Sequence, residues 1–208
     1  MSPFSSQTVA LVTGGTSGLG AAAVRALRRQ GAKVMIADLQ EPSSSMLQEQ
    51  QGNDNAFLQY APVDVTDEAS VTAALNDVER AFGRPVNACI QCAGIATARK
   101  MISAKGVVHA LAEFEKTLQI NTVGTCNVAR LAVERMQTND PADNGGQRGC
   151  LIHTASIAAY EGQVGQVAYA ASKGAIVGMT LPMARDLAPL GIRVMTIVRM
   201  ELCTEYQN

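Results

Sequence analysis

Short apolar runs alternate with longer helical patterns along the chain, and this alternation most restricts the possible folds. The runs have the character of strands buried on both faces: Thr8–Val12, Lys33–Ala37, Ala56–Pro62, Val86–Ile90, Cys150–Ala155 and Ile192–Val198. The helices predicted between them are Gly18–Gln30, Ser43–Gln51, Asp67–Phe82, Glu113–Met136 and Val167–Leu187. Strands and helices that alternate in this way predict an α/β protein with one doubly wound parallel sheet in three layers, α/β/α.

The composition favours one domain and excludes several other classes of protein. Hydrophobic residues make up 47% of the 208 residues, and the formal net charge of -1 gives no electrostatic case for nucleic acid or an anionic membrane. No apolar run reaches the ~18 residues that span a bilayer, so we expect a protein outside the membrane. The first eight residues resemble neither a secretory signal nor a typical transit peptide.

The five cysteines show no spacing typical of a metal site, so no metal is predicted. Cys89 and Cys92 form a C-x-x-C, but this motif lies at the end of a strand rather than at the start of a helix. Free thiols in a reducing compartment are therefore favoured over a zinc or thioredoxin-like role. Residues 139–149 read as a polar surface loop before the fifth strand.

A glycine-rich turn, TGGTSGLG, follows the first predicted strand and opens the first helix. Gly14 permits the sharp turn, Gly18 lets the backbone approach a phosphate, and Gly20 lets the helix pack closely on the strand. Such a turn alone is weak evidence, but between a strand and a helix it directs free amides at a ligand. The segment therefore predicts a site for a dinucleotide pyrophosphate.

An acidic residue at the end of the second strand indicates which dinucleotide binds. The carboxylate of Asp38 can accept hydrogen bonds from the adenosine ribose diol and would repel a 2′-phosphate. Neither Ser17 nor Leu39 supplies the cation that a 2′-phosphate requires, so NAD is favoured over NADP. Asp38 could instead only begin a loop. Asp64, after the third strand, stands where an adenine amino group could be met, although it could equally cap a helix.

A tyrosine, a lysine and a serine form the candidate catalytic group. Tyr169 and Lys173 are four residues apart, hence on one helix face. Free tyrosine, with a pKa near ~10, is a poor base at neutral pH, and an adjacent ammonium stabilises its phenolate. Ser156, at the end of the fifth strand, can hydrogen-bond the substrate oxygen. A Tyr–Lys pair alone is common on helix surfaces; the serine makes a catalytic interpretation the favoured one.

Asn121 belongs to an apolar stripe on the long fourth helix, which comprises Phe114, Leu118, Asn121, Thr125, Val128 and Ala132. A buried amide needs partners. Two interpretations stay open: a structural hydrogen bond to a neighbouring helix, or an ordered-water relay from Lys173 to solvent. Neither histidine is assigned a function, because His109 lies in a loop and His153, in mid-strand, is expected to be a hydrogen-bonded core residue.

These residues resemble the short-chain dehydrogenase/reductase family over nearly the whole chain, from Val9 to Ile197. The matching features are TGGTSGLG, Asp38, Asp64, residues 91–94 as a variant of the NAG motif, Asn121, Ser156 and YAASK from Tyr169. Several segments are similar to one branch of the family that acts on 3-hydroxyacyl-CoA: residues 92–96, 144–149, 161–166, 178–182 and 184–189. The resemblance implies a Rossmann-type sheet.

The resemblance also implies NAD-dependent interconversion of (3S)-3-hydroxyacyl-CoA and 3-oxoacyl-CoA, with some tolerance for other secondary alcohols. It implies that Tyr169 is the acid/base, Lys173 its modulator and a ribose contact, Ser156 the substrate-orienting residue and Asn121 the relay residue. The other NAD contacts that it implies are Gly14, Ser17, Gly18, Leu19, Gly20, Asp38, Asp64, Val65, Cys92, Ala93 and Gly94. Members of this branch are homotetramers in mitochondria, and a cytoplasmic location is the alternative.

The chain departs from the family pattern at two places. Gln91 stands where the first Asn of the NAG motif is usual, which changes a sheet contact but keeps an amide. After Val198 the family continues with Pro-Gly, a substrate-covering loop, helices and a last strand, and residues 199–208 differ from that pattern. We therefore expect a domain of residues 1–198, a divergent tail of residues 199–208, and a sheet whose last strand, Ile192–Val198, is an apolar edge.

Two other functions stay open. A catalytically impaired subunit, for NAD binding or assembly, would keep the cofactor half and the helices Glu113–Met136 and Val167–Leu187, both apolar enough to pack against another subunit. An NADPH-dependent 3-oxoacyl carrier-protein reductase could use the same fold, but Asp38 argues against it.

Overall fold

The computed structural model describes residues 4–48, 58–142 and 145–200. Within them, parallel strands form one sheet: β1 (Val9–Thr13), β2 (Lys33–Asp38), β3 (Leu58–Pro62), β4 (Ala88–Gln91), β5 (Gly149–Ser156) and β6 (Ile192–Arg199). The helices are α1 (Gly18–Arg29), α2 (Ser44–Gln48), α3 (Glu68–Phe82), α4 (Leu111–Leu118), α5 (Thr125–Met136) and α6 (Val167–Leu187). The strand order is β3-β2-β1-β4-β5-β6, which confirms the predicted doubly wound sheet.

The strand order reverses between β1 and β4, and this reversal positions the candidate site. Ala10 of β1 pairs with Val34 of β2 on one side and with Ala88 of β4 on the other. The connections after β1 and β4 therefore diverge and leave a crevice at the carboxyl ends of the strands, where ligands bind in sheets of this kind. The glycine-rich turn follows β1, and residues 92–94 follow β4.

Apolar side chains cover both faces of the sheet, as expected for parallel strands. On one face Leu11 and Leu151 belong to a core with Leu75 of α3 and Val128 of α5. On the other face a smaller core, which contains Val12, Val24, Ile36 and Leu58, joins α1 to the sheet. None of the described helices is both long and apolar enough to cross a bilayer.

The helix predicted over Glu113–Met136 differs from the observed one. It begins at Leu111, and a π-helical segment, Gln119–Gly124, separates α4 from α5. Thr117, Asn121 and Thr125 are buried, whereas Phe114 and Leu118 are only half-buried, so the predicted stripe is wrong in its first turns. The π-helical backbone accounts for the shift, because it changes the period on which the prediction relied.

Other predicted boundaries change by one or two residues. Asp67 precedes α3 as its cap, with its carboxylate accepting a 3.0 Å hydrogen bond from the Ala69 amide. The C-terminal end of the predicted helix Ser43–Gln51 and the N-terminal end of the predicted strand Ala56–Pro62 lie outside the described residues. The loop of residues 139–149 is not wholly a surface loop, because Asn139 is buried and donates a 2.9 Å hydrogen bond to the Val86 carbonyl.

The strand β6 is the outermost one among the described residues, at the edge that the sequence predicted. It pairs with β5 along its full length, from Gly149↔Ile192 to Ser156↔Arg199. Its side chains Met195, Ile197 and Val198 are exposed. Residues 201–208 of the predicted tail lie outside the described part of the chain.

Candidate active site

The glycine-rich turn has the shape that a bound phosphate requires. Gly14 has φ +64°, and a Cβ atom there would lie 2.7 Å from the Ala93 nitrogen. A Cβ on Gly20 would lie 2.0 Å from the Gly14 carbonyl oxygen, so α1 can approach the turn only if this position is glycine. Gly18, at φ +50°, faces open space. The turn is therefore closely packed at Gly14 and Gly20 and open to solvent at Gly18. The open side lies at the N-terminus of α1, where helix amides favour an anion.

The first residues around the opening of α1 are available to a ligand. Ser17 stands at the helix cap, but its hydroxyl makes no capping hydrogen bond. Leu19 in the first turn is exposed. A free hydroxyl, unblocked helix amides and an exposed leucine therefore border the open side of Gly18.

Asp38 lies at the end of β2 and is held by the glycine-rich turn. Its Oδ2 accepts a 2.6 Å hydrogen bond from the Thr16 hydroxyl and a 3.1 Å bond from the Thr16 amide. Its Oδ1 accepts a 3.1 Å bond from the Gln40 amide. Thr16 was not among the site residues predicted from the sequence. A hydroxyl in the turn, combined with an acidic residue at the next strand end, was the available signal.

Asp64 and Val65 differ in what they can offer. Asp64 is exposed, and its Oδ1 accepts hydrogen bonds from the Thr66 amide (2.9 Å) and hydroxyl (2.7 Å). It does not cap α3, because Asp67 does. The Val65 side chain packs into the core, where a Cβ on Gly124 would meet it at 2.6 Å. Only the backbone of Val65 can therefore face a ligand.

Residues 92–94 join the end of β4 to the turn after β1. The Cys92 amide donates to the Thr13 carbonyl (3.1 Å), and the Ala93 amide donates to the Thr13 hydroxyl (3.3 Å). The Cys92 sulfur lies 3.5 Å from the Thr154 hydroxyl on β5, and burial raises the pKa of its thiol. These contacts bring the cofactor half of the chain next to the predicted catalytic half.

Cys89 and Cys92 are free thiols, and the described residues hold no cluster of three metal-type ligands. Burial raises the pKa of the Cys89 thiol to about 12, so this sulfur is inert. Gln91 is buried in β4. With its amide nitrogen toward the Thr125 carbonyl (2.9 Å) and its oxygen toward the Ala129 amide (3.3 Å), it joins the sheet to α5.

The predicted catalytic residues meet where β5 ends and α6 passes. Ser156 ends β5, and its oxygen accepts a 3.2 Å hydrogen bond from the Ala158 amide. Its hydroxyl proton can still be donated to a ligand. Tyr169 is half-buried in the first turns of α6, and the Lys173 nitrogen lies 5.7 Å from the centre of its ring.

Lys173 is anchored to β5. Its ammonium donates a 2.7 Å hydrogen bond to the Thr154 carbonyl, a partner that the sequence did not reveal. Burial lowers the pKa of Lys173 to about 8 from the ordinary 10.5. The side chain is therefore a cation at neutral pH that is nonetheless close to releasing its proton.

Asn121 joins the π-helical segment to α6 and to the loop that follows β4. Its Oδ1 accepts a 2.8 Å hydrogen bond from the Ile95 amide, and its Nδ2 donates to the Ile95 carbonyl (2.9 Å) and the Ser172 hydroxyl (3.0 Å). Ser172 passes this connection on to the Tyr169 carbonyl (2.7 Å). Both amide hydrogens and one acceptor position of Asn121 are thus used in structural contacts, which favours the first of the two interpretations.

Gly94 lies beside both Asn121 and Lys173. A Cβ on Gly94 would lie 3.0 Å from the Asn121 Oδ1 and 3.9 Å from the Lys173 nitrogen. Both polar side chains therefore border the same face of Gly94, and a larger residue there would press on the Asn121 amide. The backbone carbonyl of Asn121 accepts a 2.7 Å hydrogen bond from the Thr125 hydroxyl.

The histidines do not belong to this group. The His109 Nε2 lies 3.9 Å from a Glu113 carboxylate oxygen. His153 is fully buried on β5, as expected, but the prediction that it is hydrogen-bonded is wrong: neither ring nitrogen has a partner among the described residues. Its neighbours in register, Gln91 and Thr196, use their polar atoms elsewhere, on α5 and on Thr180.

Almost the whole chain matches one protein family. The model of the short chain dehydrogenase family matches residues 8–208. This chain belongs to the short-chain dehydrogenase family. It is an oxidoreductase, since the family match and relatives named as dehydrogenases agree on this point.

Alignments with named relatives cover most of this short-chain dehydrogenase. The chain is 52% identical over 190 residues to 3-hydroxyacyl-CoA dehydrogenase type-2 of Homo sapiens and of Bos taurus, which covers 91% of this chain and 71% of each relative. A solved structure of 3-hydroxyacyl-CoA dehydrogenase type-2 from Mycobacterium avium superposes with a TM-score of 0.83 at 37% identity. That match covers 94% of this chain and 75% of the other.

Proposed function

We propose that this oxidoreductase uses NAD to interconvert (3S)-3-hydroxyacyl-CoA and 3-oxoacyl-CoA. One observation carries the proposal: the open glycine turn with Asp38, and the group of Ser156, Tyr169 and Lys173, lie at the same edge of the sheet and are joined by the Cys92–Thr154 contact. The acyl-CoA substrate is supported by the relatives, which are named as 3-hydroxyacyl-CoA dehydrogenases. Some activity toward other secondary alcohols is part of the same proposal.

The residues present fit NAD. The pyrophosphate would lie on the open side of Gly18, beside the amides and the Ser17 hydroxyl at the start of α1. Asp38 and Asp64 would hold the adenosine, Leu19 and the Val65 backbone would border it, and residues 92–94 would adjoin the nicotinamide side. When bound, NAD supplies the hydride acceptor for the substrate alcohol.

The chain itself would supply proton transfer and orientation. Ser156 would donate its free hydroxyl proton in a hydrogen bond to the substrate oxygen, with the hydroxyl fixed by the Ala158 amide. Tyr169 would then accept the hydroxyl proton during oxidation and return it during reduction. The Lys173 cation, held by Thr154, would stabilise the phenolate in between.

Turnover by the purified protein tests this proposal. We expect NADH to appear when NAD and a (3S)-3-hydroxyacyl-CoA are added, with less activity on the (3R) enantiomer. Tyr169→Phe should reduce kcat by about a thousandfold, within the range for loss of a positioned acid/base. Tyr160→Phe, at an exposed tyrosine, is the matched control and should remain active. Turnover retained in Tyr169→Phe would refute the mechanism.

The exposed apolar side chains of β6 favour a second candidate, an NAD-binding or assembly subunit with impaired catalysis. This candidate predicts NAD binding without turnover and co-purification with a catalytic partner. An NADPH-dependent 3-oxoacyl carrier-protein reductase is the narrower alternative, and the Asp38 carboxylate argues against it. Comparison of NADH with NADPH as reductants distinguishes this reductase from the NAD-dependent enzyme.

We propose a homotetramer in mitochondria, as in the branch that the sequence resembles. The support for assembly is that helix α6 is apolar but leaves Val167 and Leu181 exposed, and that Val123 beside α5 is exposed as well. Light scattering of the purified protein measures the oligomeric state. Localisation of a tagged chain distinguishes mitochondria from cytoplasm.

A further inference from the structure

We propose that Thr16 is a positioning residue that fixes the Asp38 carboxylate and thereby sets the preference for NAD over NADP. The inference rests on the proposed function, which names NAD as the cofactor, and assigns its selectivity to a pair of residues rather than to Asp38 alone. The short bond of 2.6 Å between the Thr16 hydroxyl and the Asp38 Oδ2 is its starting point.

The hydrogen bonds of Asp38 leave its carboxylate almost no freedom. An ionised carboxylate has about four acceptor positions. Two on Oδ2 are taken by the hydroxyl and amide of Thr16, and one on Oδ1 is taken by the Gln40 amide. The remaining acceptor position is on Oδ1, so the carboxylate can receive a ribose hydroxyl but cannot turn without losing a bond.

Thr16 belongs to the turn that would hold the pyrophosphate. It lies between Gly14, whose amide donates to the Ala37 carbonyl at 2.9 Å, and Ser17 at the helix cap. Its bond to Asp38 therefore fixes the carboxylate relative to the proposed phosphate site. The Asp38 carboxylate is therefore preorganised before the cofactor binds.

A fixed carboxylate is a stronger barrier to a 2′-phosphate than a mobile one. The adjoining segments, residues 14–20 and 38–41, contain no Lys or Arg, and Glu41 adds a second negative charge. A 2′-phosphate could be accommodated only if the Asp38 carboxylate rotated away. The two donors on Thr16 oppose that rotation, and the hydroxyl is the one that a substitution can remove.

The test compares Kd values for NAD and NADP, measured by calorimetry on the whole chain. Thr16→Val removes the hydroxyl but keeps the side-chain shape and the backbone amide donor. We expect its Kd ratio of NADP to NAD to fall about tenfold, as for loss of one hydrogen bond to a charged group. Thr16→Ser keeps the hydroxyl and should retain the ratio.

Thr66→Val is the matched control. The amide and hydroxyl of Thr66 donate hydrogen bonds to the Asp64 carboxylate, as those of Thr16 do to Asp38. Its substitution should leave the NADP to NAD ratio unchanged. The Thr16→Val change should also have no effect on the ratio in an Asp38→Ala background, because there is then no carboxylate to position.

The outcomes separate this inference from the proposed function. A wild-type chain that prefers NAD, with an unchanged ratio in Thr16→Val, overturns the role of Thr16 and leaves the proposed function intact. Equal weakening of both cofactors in Thr16→Val overturns it too, since Thr16 would then only support the turn. A wild-type chain that binds neither cofactor, or prefers NADP, overturns both.

Discussion

The Lys173 ammonium donates a 2.7 Å hydrogen bond to the carbonyl oxygen of Thr154, which precedes Ser156 by two residues on β5. This bond ties the first half of α6 to the strand that carries the serine. The relative placement of the tyrosine and serine therefore depends on the lysine as well as on the packing of the helix. The lysine therefore has a structural role in addition to the electrostatic one that we propose for it.

Replacement of Lys173 by methionine should reduce kcat by about a hundredfold or more, because both the cation and the anchor to Thr154 are lost. Steady-state kinetics with a 3-hydroxyacyl-CoA measure this effect. Lys116→Met, at an exposed lysine on α4, is the control and should turn over normally. A Lys173→Met variant with normal kcat would contradict the assignment.

The buried lysine should also make stability depend on alkaline pH. The pKa of Lys173 is lowered by burial to about 8, whereas an unfolded lysine keeps 10.5. Between these values the unfolded chain binds more protons, so the free energy of unfolding rises as the pH increases from 8 to 10.5. Denaturant titrations should show this rise in the wild type and a smaller one in Lys173→Met.

His153 should make the fold sensitive to acid. Burial lowers the pKa of His153 to about 4 from the ordinary 6.5. The unfolded chain therefore takes up the proton first as the pH falls, and stability is lost from pH 6.5 down to about 4. His153→Phe should remove this loss and be no less stable at neutral pH, since the ring nitrogens have no partners among the described residues.

The only other histidine of the chain supplies the control for that experiment. His109→Gln should retain the acid sensitivity, which is measured as the difference in free energy of unfolding between neutral and acidic buffer. If His153→Phe and wild type lost stability in parallel over the acid range, the buried ring would be excluded as the cause.

Two glycines should respond to alanine in opposite directions. Gly20→Ala places a Cβ 2.0 Å from the Gly14 carbonyl, so we expect a loss of about 3 kcal/mol or more and loss of NAD binding. Gly178→Ala in α6 meets no atom within 4 Å and should stabilise the chain by about 0.5–1 kcal/mol. Thermal unfolding of both variants measures this; equal effects would contradict the tight turn.

Ser172 should matter for the position of α6. Its hydroxyl accepts from Asn121 and donates to the Tyr169 carbonyl, so Ser172→Ala leaves a buried amide donor without this partner. We expect a loss of about 1–3 kcal/mol in the free energy of unfolding. Thr180→Val removes a hydroxyl from the same helix without a contact to Asn121, and should leave kcat unchanged while Ser172→Ala lowers it.

The sequence predicted what depends on local patterns. Apolar runs marked the strands within one or two residues, and the doubly wound parallel sheet followed from the alternation with helices. The positions of Asp38 and Ser156 at strand ends could be predicted too, because parallel strands place their carboxyl ends on one edge. These features require only the order of residues along the chain.

What the sequence did not predict depends on residues distant in the chain. The bonds Thr16–Asp38 and Lys173–Thr154 join segments whose spacing carries no signal until the sheet is assembled. His153 was predicted to be hydrogen-bonded because buried polar groups are usually paired. Its ring nitrogens have no partner among the described residues, which its polarity alone could not reveal. The π-helical segment was hidden because Asn121 fits an ordinary helical period as well.

The π-helical segment, Gln119–Gly124, has a geometric consequence for the helices on either side of it. A wider turn absorbs one more residue, and each residue advances an α-helix by about 100°. Every residue of α5 is therefore rotated by about 100° from the place that an uninterrupted α-helix would give it. Deletion of a single residue here would restore an ordinary helical turn and rotate the buried face of α5 by that same angle relative to α4.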